Sequence, residues 1–108
     1  AKLTCDQMRE AGLVNVDVLK VGGSLPYAYG EWLEAGPGKP TVFLYAHHDV
    51  QPVTHTDQWK SDPWKLTRRD GRLFARGAAD DKGAISAFLG AVAAYRKTTN
   101  QLPVNVKM

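Results

Sequence analysis

An α/β fold is predicted for this 108-residue chain by two observations. The first is the order of its elements. Several short strand-like segments precede one long helical segment, and another strand-like segment follows it. The second is Thr41 to Ala46, an apolar run with no polar face. Such a run suits a central strand of a mostly parallel sheet covered by helices on both sides. With 44% hydrophobic and 9% aromatic residues the composition is globular. The length allows one domain or part of one.

The elements follow in chain order. Thr4-x-x-Gln7 fits a capping box and Gly12 a helix stop, predicting a short helix over 4–11. Residues 15–20 alternate, with Val16 and Val18 on one face, and predict a strand that Gly22-Gly23-Ser24 ends. Residues 27–34, with Trp32 and Leu33, predict a second strand. Gly36-Pro37-Gly38-Lys39-Pro40 is a turn. The apolar run at 41–46 comes next. Residues 47–65 form a loop long enough to be functional. Leu66-Thr67 and Leu73 to Ala75 flank Asp70-Gly71, a hairpin signal. Ile85, Phe88, Leu89, Val92 and Tyr95 recur at helical spacing and predict a helix over 83–97. Arg96 and Lys97 suit its C-terminal dipole, and Asn100 its stop. Leu102 to Met108 alternates and predicts a last strand.

Charge and cysteine content narrow the function. The net charge is +3, and its densest stretch runs through Lys65, Arg68, Arg69 and Arg72. Around Asp70-Gly71 this is a solvated hairpin. No basic stripe on a recognisable module points to nucleic acid. Cys5 stands alone, so no internal disulfide forms. No apolar run is long enough to span a bilayer, and no signal-peptide core is present. The expectation is a cytoplasmic protein without nucleic-acid or membrane partners.

Two short motifs carry chemistry. In Ala46-His47-His48-Asp49, His47 and Asp49 stand two apart, which on extended chain places them on one side and His48 on the other. Imidazole is a common ligand for zinc and its neighbours. A carboxylate beside a ligating histidine orients the ring and raises its basicity, so Asp49 suits that supporting role better than ligation. The second motif holds Asp80 and Asp81 ahead of the long helix. Helix capping accounts for carboxylates there. From the residues alone capping is the preferred reading; the alternative is a bound cation, such as two metals bridged by one carboxylate, since adjacent carboxylates repel. His55 has no partner at ligand spacing, and Trp59 and Trp64 pack the loop.

Read together, these segments resemble the di-metal peptidase and deacylase family. It includes carnosinase-like dipeptidases, glutamate carboxypeptidase, acetylornithine deacetylase and succinyl-diaminopimelate desuccinylase. The resemblance rests on Gly38-Lys39-Pro40-Thr41-Val42, on Leu44-Tyr45-Ala46-His47-His48-Asp49-Val50-Gln51-Pro52, on Trp59-x-x-Asp62-Pro63-Trp64, and on the run from Asp70-Gly71 through Arg76-Gly77-Ala78-Ala79-Asp80-Asp81-Lys82-Gly83. Leu102 to Lys107 fits the strand that the family places next. The resemblance implies a three-layer α/β catalytic domain. It implies His47 as a ligand of one metal, Asp80 as the carboxylate bridging two, and Asp49 as the catalytic-site residue that orients His47. It also implies a cis Asp80-Asp81 peptide. Desuccinylase-like members differ where Asp81 stands, so no role is carried over to Asp81. The implied cofactors are two zinc ions, with manganese or cobalt as substitutes. The implied reaction is hydrolysis of an amide bond by a metal-activated water.

Val50-Gln51-Pro52 and Asp80-Asp81-Lys82-Gly83 look more like the dipeptidase branch. A metal-dependent dipeptidase is therefore expected, acting on a dipeptide. The alternatives are an N-acyl-amino-acid deacylase of the same family and a catalytically inactive binding protein on this fold. The sequence departs from the family in one respect. The family's general base, its remaining carboxylate ligands and a second histidine follow the last strand, and this chain has no glutamate after Glu34. Residues 1–108 are thus expected to be the N-terminal portion of a catalytic domain, inactive alone, from a parent that forms a homodimer.

Overall fold

A computed structural model describes all residues, 1–108. The chain divides into two compact units, residues 1–45 with 87–108 and residues 46–86.

The first unit is built on a four-stranded sheet. Helix α1 (Lys2–Ala11) leads into β1 (Val14–Leu19) and β2 (Tyr27–Trp32). After the glycine-proline turn come β3 (Thr41–Phe43) and, much later, the last strand, here β6 (Asn105–Lys107). The sheet order is β1-β2-β6-β3. β1 and β2 pair antiparallel, as do β2 and β6, while β3 and β6 pair parallel. The α/β class holds, but over these residues the sheet is mixed rather than mostly parallel. The reason is connection length: a short loop returns β2 antiparallel to β1, and only the long path from β3 to β6, through helix α2 (Lys82–Thr99), reaches a parallel register.

The sheet corrects a further expectation. Residues 41–46 are not a central strand. Only 41–43 are strand, they lie at the sheet edge, and Phe43 and Tyr45 are 68% and 72% exposed. An apolar run shows that a strand has hydrophobic faces, not that a neighbour pairs along both edges. The last strand is an inner one instead, between β2 and β3. Val106 is opposite Trp32 on one side and Val42 on the other, and it is buried. Asn105 also pins the preceding turn. Its side chain accepts a hydrogen bond from the Ala35 amide at 3.1 Å and donates to the Lys39 carbonyl at 3.4 Å.

The buried residues of this unit include Cys5, Met8, Leu13, Trp32, Leu89, Val92, Leu102, Val106 and Met108. α1 packs on β1 and β2 across Gly30. A β-carbon there would stand 3.1 Å from Val16, 3.2 Å from Met8 and 3.4 Å from Leu13, so the smallest residue permits the approach. Thr4 does not cap α1. The helix begins at Lys2, has no side-chain cap, and buries Thr4 in its body. Gly12 ends it as expected, in the left-handed conformation. From α2, the Arg96 guanidinium lies over the Trp32 ring at 5.8 Å. No helix is long and apolar enough to cross a membrane.

The second unit is mostly loop. Its regular elements are a 3-10 turn (Thr56–Gln58), the hairpin β4 (Thr67–Arg69) and β5 (Arg72–Phe74), and the first turn of α2. Asp70 and Gly71 have φ of 50° and 72°, the pair of positive values that a two-residue hairpin turn requires. The Arg69 guanidinium stacks on Phe74 at 4.2 Å, and that of Arg76 lies over Trp59 at 5.6 Å. The basic hairpin and the tryptophan loop are thus held by cation–π contacts.

Candidate metal centre

The second unit brings the two motifs together. His47 lies in a stretch with no strand pairing, after β3 has ended. Asp80 and Asp81 lie in the turn between β5 and α2, joined by a cis peptide. The motifs therefore do not open from one sheet edge. One follows a strand of the four-stranded sheet, the other a strand of the separate hairpin.

The His47 ring is engaged at both nitrogens. Nε2 stands 3.1 Å from Asp80 Oδ1. Nδ1 donates to the backbone carbonyl of Asp49 at 3.1 Å, and the Asp49 carboxylate is also near it, at 3.4 Å. Asp49 thus faces the ring as expected, but its carbonyl makes the hydrogen bond. The chain is not in a ladder here, so that carbonyl is available. The His47 backbone amide donates to Asp81 Oδ2 at 3.3 Å. Asp81 is the contact that sequence reasoning passed over. Its only signal was adjacency to Asp80, which helix capping explains equally well.

These contacts set the electrostatics. The hydrogen bond to the Asp49 carbonyl raises the His47 pKa above its ordinary value. The carboxylates of Asp49, Asp80 and Asp81 raise it further, and partial desolvation opposes them. Burial lowers the pKa of the half-buried His48. The side chains of His47 and Asp80 are 39% and 83% exposed. A pair so open to solvent adds little to stability.

The donors fit a metal. An imidazole nitrogen and a carboxylate oxygen bound to one zinc ion at about 2.0–2.2 Å stand roughly 3.3–3.5 Å apart at tetrahedral angles. The observed 3.1 Å requires only a small opening. The bond from Nδ1 to the Asp49 carbonyl leaves Nε2 as the nitrogen that a metal could use. The set is incomplete, since nowhere do three or more His, Cys, Asp or Glu side chains gather in a way that could hold a metal ion.

Close packing holds the two loops against each other. Gly77 has φ of 77°, and a β-carbon on it would lie 2.3 Å from Val50 Cγ1 and 2.6 Å from Lys82 Nζ. Val50 follows Asp49 directly, so the glycine lets one motif seat against the other.

Known proteins resemble this chain in sequence and in fold. The chain is 42% identical over 113 residues to beta-Ala-His dipeptidase of Mus musculus, covering 97% of this chain and 23% of that protein. It is 47% identical over 66 residues to succinyl-diaminopimelate desuccinylase of Buchnera aphidicola, covering 61% of this chain and 17% of that protein. The crystal structure of human carnosine dipeptidase 1 superposes with a TM-score of 0.82 at 38% identity, over 98% of this chain and 24% of that one. The chain thus spans about a quarter or less of the length of these relatives. Residues 43–108, which carry both motifs, the hairpin between them and the helix after them, match the profile of peptidase family M20/M25/M40, and the chain belongs to that family.

Proposed function

We propose that these residues form part of the catalytic domain of a metal-dependent dipeptidase and supply a share of its metal site. In this reading His47 Nε2 and the Asp80 carboxylate would hold metal, zinc being the expected ion, and Asp49 fixes the ring. The observation that carries it is the 3.1 Å approach of His47 to Asp80 while the other ring nitrogen is tied to Asp49. The likeness to beta-Ala-His dipeptidase over nearly the whole chain supports the dipeptide as substrate class. Bound metal would polarise the scissile carbonyl and lower the pKa of a water to about 7. This chain's own part is to hold the imidazole with one nitrogen committed to Asp49 and the other presented beside a carboxylate. The general base and further ligands come from outside these residues. The likeness to a desuccinylase favours a second reading, an N-acyl-amino-acid deacylase, which uses the same amide chemistry.

The test compares the 108-residue chain with the full-length gene product, each with added zinc or manganese, against dipeptides and N-succinyl amino acids. The chain alone is expected to bind zinc weakly and hydrolyse nothing, because its donors do not complete a four-coordinate shell. The full-length product is expected to cleave dipeptides and to lose that activity on His47→Ala or Asp80→Ala. Turnover by the isolated chain, or unchanged activity in either variant, refutes the reading. Preference for N-succinyl substrates selects the deacylase.

A further inference from the structure

We infer that Asp81 is a positioning residue, whose carboxylate fixes the backbone of His47 and through it the direction of the imidazole. The inference rests on the metal-site reading for its functional meaning, but its geometry stands independently.

Three observations carry it. The first is that the Asp81 side chain does not cap its own helix. An aspartate at the start of a helix ordinarily accepts from an amide two or three residues on. Here the amides of Ala84 and Ile85 both donate to the Asp81 backbone carbonyl, at 3.1 and 3.4 Å. The carboxylate reaches instead to the amide of His47, 34 residues earlier in the chain. The second is that His47 has no ladder partner. His47 lies outside any strand, so the Asp81 side chain is what satisfies this N–H. The third is that the far end is anchored. Those two donated bonds tie Asp81 to the first turn of α2, and the Lys82 amide donates to the Gly77 carbonyl at 3.2 Å.

The result is division of labour between adjacent carboxylates. Asp80 meets the His47 ring, Asp81 meets the His47 main chain, and Asp49 closes the other side of the ring. With backbone and Nδ1 both fixed, the imidazole keeps one orientation towards Asp80. Removing Asp81 leaves every ligand in place but frees the main chain that carries one of them. Groups that orient a ligand in this way are worth about 10–100-fold in metal affinity.

The experiment uses Asp81→Leu, Asp81→Ala and Asp81→Asn. Asparagine retains a side-chain oxygen that accepts the His47 N–H but lacks the charge. On the metal-free 108-residue chain, amide hydrogen exchange at His47 is expected to quicken at least about tenfold in the leucine and alanine variants and to stay near wild type in the asparagine variant. On the full-length product, zinc affinity measured by chelator competition is expected to fall about 10–100-fold for leucine and alanine. It should fall clearly less for asparagine. If leucine disrupts folding, judged by circular dichroism, alanine carries the comparison. Unchanged exchange at His47 in the alanine variant overturns the inference. So does an asparagine variant as weak in zinc binding as alanine, which would assign the effect to charge rather than to the hydrogen bond. His47→Ala run alongside separates the two readings. If it leaves zinc affinity intact, the metal-site reading fails whatever Asp81 does. If it abolishes binding while Asp81→Ala binds as wild type, only the positioning role fails.

Discussion

Replacing Gly77 by alanine is expected to destabilise the second unit by about 2–5 kcal/mol, for two separable reasons. Gly77 has φ of 77°, where an alanine costs about 1–2 kcal/mol. The new β-carbon would also lie 2.3 Å from Val50 Cγ1, far inside contact distance. Lys82 Nζ, at 2.6 Å, is the end of a flexible chain and moves cheaply. Val50 is β-branched and stiff about χ1, so its displacement carries the usual overpacking cost of about 1–3 kcal/mol. Gly71 supplies the control. Its φ is 72°, and nothing lies within 4 Å of the position of a β-carbon. Gly71→Ala should therefore show the backbone cost alone, about 1–2 kcal/mol. The double variant Gly77→Ala/Val50→Ala should recover most of the excess. Urea unfolding followed by fluorescence of the three tryptophans measures all of these. A Gly77→Ala variant no less stable than Gly71→Ala, or a double variant with no recovery, would refute the close-approach argument.

Three further outcomes are expected. In the proposed site a metal displaces a proton from His47, whose pKa is raised by the Asp49 carbonyl and the surrounding carboxylates, so zinc binding should weaken as pH falls through a midpoint above the ordinary 6.5. The same shift makes the protonated ring favourable to the metal-free fold: that contribution is full below the unfolded-state pKa and is lost as pH rises through the raised value. A nuclear magnetic resonance titration of His47 with a midpoint below 6.5 would contradict both statements. Trp32→Ala should cost about 3–5 kcal/mol in denaturant unfolding, because Trp32 is among the largest fully buried side chains and supports Arg96 on its ring; a cost under about 1 kcal/mol would show that the site collapses freely. The exposed edge at Thr41–Phe43 should make the 108-residue chain self-associate, and Phe43→Lys should reduce this in sedimentation, since a lysine on an open edge opposes strand pairing; a wild-type chain monomeric at high concentration refutes it.

Much of the chain is determined locally and was therefore legible in the sequence. Helical spacing from Ile85 to Tyr95 identified α2, although it runs from Lys82 to Thr99. Asp70-Gly71 identified its hairpin, because few residues tolerate positive φ at both positions of such a turn. The motifs holding His47, Asp49 and Asp80 were legible as candidates from their chemical types, and Asp80 and Asp49 do lie beside the His47 ring. What the tertiary structure alone decided is pairing. The apolar run at residues 41–46 declares hydrophobic faces, but hydrophobic faces do not specify which strand occupies which edge, so β3 lies outside and β6 inside. Asp81 illustrates the same limit at the site. A carboxylate at a helix start has two acceptable partners, its own helix or a distant amide. Nothing local distinguishes them, and only the approach of His47 across 34 residues of chain settles the matter.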